Sequence, residues 1–134
     1  MSTESFPKTA RLLNARDYKS VFDNSRYKVS SKEFLFLATA SQGIRPRLGL
    51  VIAKKHINRA ANRNRVKRLL REAFRTSQAD LPLLDIVVLA RKDADRLAPA
   101  ELRAVIDRLL ADLITRSNRD SKRNPQQRTR TVTP

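Results

Sequence analysis

The sequence contains no cysteine, no tryptophan, one histidine and only two glycines among its 134 residues. The absence of cysteine excludes disulfide bonds, zinc-thiolate sites and cysteine nucleophiles. A single histidine, His56, cannot form a multi-histidine metal site, and two glycines cannot form a glycine-rich phosphate loop. No apolar run approaches the ~18 residues of a membrane span, and residues 1–8 lack the apolar core of a signal peptide. We therefore expect a soluble, cytoplasmic protein.

Positive charge is what the sequence has in excess. Lys and Arg number 29 against 13 Asp and Glu, which gives a formal net charge of +16. Residues 1–75 hold 18 basic and 5 acidic side chains, whereas residues 76–117 hold 6 and 7. A charge that served solubility alone would be spread more evenly. The asymmetry therefore favours a binding face for a polyanion, usually a nucleic acid.

The apolar spacing predicts an α+β fold with the order αβββαβα, a single domain in which helices pack on one mixed sheet. Helices are predicted over 15–24, 58–77 and from Pro99 onward, and strands over 27–29, 33–40, 47–53 and 85–90. Asn58 is the predicted N-cap of the second helix. The domain is predicted to span residues 11–117. We expect a flexible N-terminus at residues 1–10 and a basic, disordered tail at 118–134, because neither segment can bury enough apolar surface to order itself.

The helix predicted over 58–77 carries the main functional signal. Its apolar side chains recur on one stripe, and its other faces are cationic with Glu72 as the only acid. Like charges four residues apart repel each other in an isolated helix, so a partner's phosphates would relieve that repulsion. Arginine also suits phosphate because its planar fork makes paired contacts. A solvated helix face is the alternative, although such faces normally alternate the sign of their charges.

The residues of this helix closely resemble the arginine-rich motif of the bacterial ribonuclease P protein family: Arg63-Asn64-Arg65, Lys67-Arg68 and Arg71. Further features fit the same family, namely two strands that each run into a basic pair (residues 47–55 and 85–92) and an early helix with Tyr18 and Phe22. The resemblance covers about residues 8–115. It implies the family fold, including a left-handed βαβ crossover, although such crossovers are generally right-handed.

The resemblance implies an accessory subunit of an endoribonuclease. In that family the RNA subunit is the catalyst and uses Mg²⁺ to hydrolyse a phosphodiester bond, which removes the 5′ leader of precursor tRNA. The protein would bind the RNA subunit and the leader, as a monomer within a protein–RNA heterodimer. We expect no catalytic and no metal-binding residue in the chain, with Mg²⁺ held mainly by the RNA subunit and substrate. Asp93 and Asp95 are better explained as loop residues than as a catalytic pair.

Two sets of site residues follow from the resemblance. The RNA subunit would contact Arg63, Asn64, Arg65, Lys67, Arg68 and Arg71. The leader would contact Tyr18, Phe22, Phe36, Lys54, Lys55, Arg59, Arg91 and Lys92. Aromatic side chains stack on unpaired bases with little regard to sequence, which suits an enzyme that accepts many leaders. The pattern alone also allows the aromatic residues to be core and the cations simply to end buried strands.

Three other functions stay open on the residues alone. A ribosomal or other structural RNA-binding protein would share this charge and this architecture. A DNA-binding transcription factor would require a helix-turn-helix, for which the sequence gives no sign. A metal-dependent nuclease acting alone would require clustered carboxylates or histidines, which are scarce here.

Overall fold

The computed structural model describes residues 15–41 and 45–123. Its elements are α1 (Ala15–Asp23), β1 (Tyr27–Ser30), β2 (Phe34–Ala40), β3 (Arg47–Val51), α2 (Ala60–Ser77), β4 (Leu84–Ala90), a short 3₁₀ turn (Ala94–Arg96) and α3 (Pro99–Arg123). The predicted α+β class and the order αβββαβα are confirmed. The flexible N-terminus predicted at residues 1–10 lies outside the described residues.

The four strands form one mixed sheet in the order β1-β2-β4-β3. Strands β1 and β2, and β2 and β4, are antiparallel, whereas β3 and β4 are parallel. The parallel pair is the predicted βαβ unit, because α2 connects β3 to β4. Its left-handed crossover stays a prediction. The consequence for function is that the chain leaves β3 and β4 at the same end of the sheet.

Helices α2 and α3 cover one face of the sheet and form the main core with it. From α2 this core receives Val66, Leu70, Ala73 and Phe74, and from α3 it receives Leu102, Ile106, Leu109, Leu110 and Leu113. The strands contribute alternate residues, such as Ile86 and Val88 of β4. Burial of each Val, Leu, Ile or Phe side chain in this core stabilises the fold by ~1.5–3 kcal/mol relative to exposure.

Helix α1 packs on the opposite face, over β2 and β4. A small second cluster forms there, in which Val21, Leu37 and Val87 are buried. Leu35, Val51, Leu89 and Tyr18 pack against it and are only partly buried. We call this side of the sheet the α1 face.

The structure corrects the assignment of Phe36 to the leader-binding residues. Its side chain is 1% exposed and belongs to the main core, where its ring meets Phe34 edge to face at 6.3 Å between centroids. Successive side chains of a strand point to opposite faces. Phe36 therefore points toward α2 and α3, whereas its neighbours Leu35 and Leu37 point to the α1 face.

The end of the domain and the start of α2 also differ from prediction. Helix α3 continues to Arg123, so the first six residues of the predicted tail are helical. The buried face of α3 extends past Leu113 to Ser117. Beyond that point the helix can continue because each further helical residue adds one backbone hydrogen bond. At α2 the N-cap is Arg59 without a side-chain cap bond, rather than Asn58.

In the part of the chain that is described, no helix combines the length and apolarity of a membrane span.

Candidate nucleic-acid interface

The outward side of α2 carries cations because the opposite side is fixed in the core. Val66, Leu70, Ala73 and Phe74 are buried at i, i+4, i+7 and i+8. Asn64, Arg65 and Arg68 then fall on the exposed side, with Lys67 and Arg71 half-buried at its margin. We call these five residues the outer face of α2. The structure thus brings together five of the six residues predicted to contact the RNA subunit.

The sixth residue, Arg63, has partners within the protein. Its Nη1 donates hydrogen bonds to the backbone carbonyl oxygens of Ile57 and Asn58, both at 3.0 Å. These carbonyls belong to the loop between β3 and α2. Arg63 therefore fastens that loop to the first turn of α2, a role that helical spacing alone could not reveal.

The flank of α2 that faces α3 is occupied by contacts within the protein. Near its start, Asn62 Nδ2 donates to Asp95 Oδ2 at 3.0 Å, which ties the helix to the 3₁₀ turn. Near its end, Thr76 Oγ1 accepts a hydrogen bond from Arg103 Nη2 at 3.0 Å. Of these two sides of α2, the outer face is therefore the one that contacts within the protein leave open to a partner.

Glu72 is the one acidic residue of α2, and its side chain has a specific partner. It forms an ion pair with Arg75 one turn later. The hydrogen bond from Arg75 lowers the pKa of the Glu72 carboxyl, whereas desolvation acts in the opposite direction. Its carboxylate is therefore engaged with Arg75 at the C-terminal end of α2.

A second group of cations lies where β3 and β4 end. Val51 is level with Leu89 in the parallel register, so both strands finish at the same end of the sheet. The exposed side chains that follow are Lys54, Lys55 and Arg59 after β3, and Arg91 and Lys92 after β4. We call these five residues the cationic end of the sheet. A backbone hydrogen bond from Arg91 N to Glu33 O, 2.8 Å long, ties this end to the residue that precedes β2.

The two aromatic residues of α1 have different surroundings. Phe22 is 44% exposed, although large apolar side chains are usually buried. Tyr18 is half-buried, and its hydroxyl is engaged with the backbone of β3: it accepts from Leu50 N at 3.1 Å and donates to Leu50 O at 3.4 Å. Phe22 is thus accessible to a base, whereas Tyr18 is held by the sheet.

An ion-pair network missing from the predicted site joins α1 to the sheet. The Arg47 guanidinium makes two hydrogen bonds to Asp85, from Nε to Oδ1 at 2.9 Å and from Nη2 to Oδ2 at 2.7 Å. Arg47 Nη1 also lies 3.6 Å from Asp17 Oδ2 on α1. The hydrogen bond to Asp85 raises the pKa of Arg47, with partial burial acting the other way and both carboxylates adding to the rise. Arg47 and Asp85 are 38 residues apart, so only the parallel register brings them together.

Within residues 15–41 and 45–123, no group of three or more His, Asp or Glu side chains is arranged to hold a metal ion. Asp93 and Asp95 do not form a catalytic pair here: Asp93 is ion-paired with Arg96 and Asp95 accepts from Asn62. Asp93 and Asp95 thus fit structural contacts better than they fit resident Mg²⁺.

Comparisons with known proteins agree on one family. A family model described as Ribonuclease P matches residues 6–114. A curated protein of Saccharophagus degradans, named ribonuclease P protein component, is 41% identical over 122 residues, which covers 91% of this chain and 90% of the relative. One of the same name from Chromohalobacter salexigens is 47% identical over 102 residues, or 76% of this chain and 80% of the relative.

Solved structures give the same result. The RNase P protein of Thermotoga maritima superposes with a TM-score of 0.65 at 30% identity, over 75% of this chain and 94% of the other. A mutant RNase P protein of Staphylococcus aureus superposes with a TM-score of 0.72 at 25% identity, over 78% of this chain and 87% of the other. The similarity therefore extends through the described domain in both sequence and fold.

Proposed function

The chain belongs to the ribonuclease P protein family, and on that premise we propose that it binds the catalytic RNA subunit through α2 and the 5′ leader of precursor tRNA through α1 and the sheet. Membership makes it an RNA-binding component of a tRNA-processing endonuclease ribonucleoprotein. The ribosomal and transcription-factor alternatives are thereby set aside.

The observation that carries the proposal is the presence of two cationic surfaces, the outer face of α2 and the cationic end of the sheet. The second is accompanied by an exposed aromatic residue, Phe22 of α1. The outer face of α2 is suited to a folded RNA because several cations on one helix face can contact the phosphates of an RNA helix together. Arg65 and Arg68 are its most exposed cations. Phosphate contacts of this kind position the protein and need no base sequence.

The leader surface combines stacking with charge. Phe22 offers an exposed ring on α1, and Leu35, Val51 and Leu89 lie half-buried on the same side of the sheet, next to its cationic end. We call these four residues the apolar strip. A single strand can place bases on the apolar strip while its phosphates meet the cations. Such a surface tolerates many leader sequences, because every base has a face that can stack.

Hydrolysis is assigned to the RNA subunit, with Mg²⁺ bound mainly by that RNA and the substrate. The protein's own residues would bind and orient the leader and neutralise phosphates near the cleaved bond. This division of labour is supported by the way the described carboxylates are engaged in structural contacts. Mg²⁺, when bound, supplies charge stabilisation and an activated water.

A cleavage assay on precursor tRNA at low Mg²⁺ tests the proposal. Protein alone, a bacterial ribonuclease P RNA alone, and the two together are compared. We expect leader removal only when both are present. Cleavage by the protein alone would overturn the assignment of chemistry to the RNA. No stimulation of the RNA, in a preparation that still binds other structured RNAs, would overturn the accessory role.

A further inference from the structure

Among the residues that the structure describes, few apolar contacts hold helix α1 in place. It buries a single side chain completely, Val21, in a cluster with Leu37 and Val87. The main core on the other face contains 21 buried residues. Apolar contact of this kind has no direction, so one buried valine leaves α1 able to slide or tilt on the sheet. Something else must fix the position of this helix.

Two polar contacts connect α1 to β3 and β4. The first is made by Tyr18, whose hydroxyl engages both the N–H and the carbonyl of Leu50. The second is made by Arg47, which contacts Asp17 on α1 and is itself held by the buried Asp85. Hydrogen bonds and paired ions are directional, so together they fix both the distance and the rotation of the helix.

The Arg47–Asp85 pair is built to be rigid. Asp85 has a side chain that is 8% exposed, and both of its oxygens accept from the one guanidinium. A two-point contact between planar groups allows little rotation. Arg47 therefore presents its remaining nitrogen, Nη1, to Asp17 from a fixed direction.

We propose that Tyr18, Arg47 and Asp85 are positioning residues that hold α1 at the distance from the sheet at which Phe22 and the cationic end can engage one leader. We call these three residues the α1 clamp. The inference rests on the proposed function and adds to it: leader affinity is set partly by polar contacts that these residues make within the protein.

The physical reason is pre-organisation. A leader that stacks on Phe22 while its phosphates reach Arg91 needs a fixed separation between α1 and the end of β4. If α1 moved freely, each binding event would first have to order the helix, which weakens affinity. Rigid support of a binding surface avoids that loss.

Spin-label distances test the structural half of the inference. The chain has no cysteine, so Ser20→Cys on α1 and Ser30→Cys on β1 give two labelling sites without background. Both residues are exposed. Tyr18→Phe removes only the hydroxyl and keeps the ring, and Asp85→Asn weakens the hold on Arg47. We expect each change to broaden the distance distribution between the labels.

Binding by the assembled holoenzyme, without labels, tests the functional half. Tyr18→Phe is expected to weaken binding of leader-bearing precursor tRNA by about three- to tenfold, the loss typical of one or two hydrogen bonds. Binding of mature tRNA and of the RNA subunit should not change. Lys19→Ala is the matched control: it breaks an exposed ion pair with Asp23 on the same helix, 2.7 Å long, which does not touch the sheet.

The two measurements distinguish failure of the clamp from failure of the proposed leader surface. A broadened distribution with a loss confined to leader-bearing substrate supports the inference. An unchanged distribution in Tyr18→Phe overturns it, and so does a broadened distribution without a loss of leader affinity. If the unmodified holoenzyme itself does not distinguish precursor from mature tRNA, the proposed leader surface fails, and the label distances still report on the clamp.

Discussion

Arg63, in the first turn of α2, holds the backbone carbonyl oxygens of Ile57 and Asn58 with one guanidinium nitrogen. The loop that contains these carbonyls also carries Lys54, Lys55 and Arg59 of the cationic end. The residue thus joins the two proposed RNA surfaces mechanically. Helical spacing places Arg63 among the cations of α2, but its hydrogen bonds hold the loop that precedes the helix.

Replacement of Arg63 by Ala is expected to weaken binding of both RNAs, because the loop loses its anchor as well as a charge. The measurement is the affinity for the RNA subunit and, separately, for leader-bearing precursor tRNA. Arg65→Ala is the matched control, since Arg65 is exposed and should affect the RNA subunit alone. If Arg63→Ala behaved like Arg65→Ala, the anchoring role would be contradicted.

Loss of Arg65 and Arg68 together should weaken RNA-subunit binding and flatten its salt dependence. Each phosphate contact contributes about one unit to the slope of log affinity against log salt concentration. Titrations at several salt concentrations measure this slope. Arg108 and Arg119, exposed on α3, provide a control double variant with the same charge change. Equal slopes in the two double variants would disprove docking through the outer face of α2.

Phe22→Ala should weaken binding of leader-bearing precursor by ~1–3 kcal/mol, the range for loss of one aromatic–base stack. Mature tRNA lacks the leader and should bind as before. Leu83→Ala is a suitable control, because Leu83 is similarly exposed but precedes β4 at the far end of the sheet. Equal losses for precursor and mature tRNA would show that the ring serves the fold.

Phe36→Ala is expected to lower the free energy of unfolding by about 3–5 kcal/mol, because it leaves a cavity in the main core. Denaturant unfolding measures this change. The same measurement on Phe22→Ala should show little change, since that ring is largely exposed. A nearly unaltered stability of Phe36→Ala would contradict its place in the core and reopen its role in binding.

The Glu72–Arg75 pair predicts a small dependence of stability on pH. Arg75 lowers the pKa of Glu72 in the folded protein. Such a carboxyl stabilises the fold above its unfolded-state pKa, and the contribution disappears as pH falls through the lowered folded value. Glu72→Gln should therefore be less stable than the unmodified protein near neutral pH and equally stable in strong acid. A difference that does not vary with pH would refute the linkage.

The elements were predictable because their signals are local. The switch from strand runs to a helical stripe at Val66 and Leu70, and Pro99 at the first position of α3, depend only on neighbouring residues. The parallel pairing of β3 with β4 followed from the βαβ order. Signals of this kind located the cations of both surfaces.

What sequence could not give depends on distant partners. The segment Phe34–Ala40 is apolar on both faces, so alternation alone could not say which side Phe36 takes. Its face is decided by which helix lies on each side of the sheet. The Arg47–Asp85 pair likewise exists only through the register of two strands, and the carbonyl partners of Arg63 leave no trace in any periodicity.

The sheet has two edge strands, β1 and β3, and a helix side chain engages the backbone of each. Tyr18 occupies the N–H and carbonyl of Leu50, and Arg116 Nη1 donates to Lys28 O at 3.1 Å. Open edges are templates on which another chain can add a strand and start aggregation. Each border of this sheet therefore carries a side-chain contact to its own backbone, which hinders the addition of a further strand at that point.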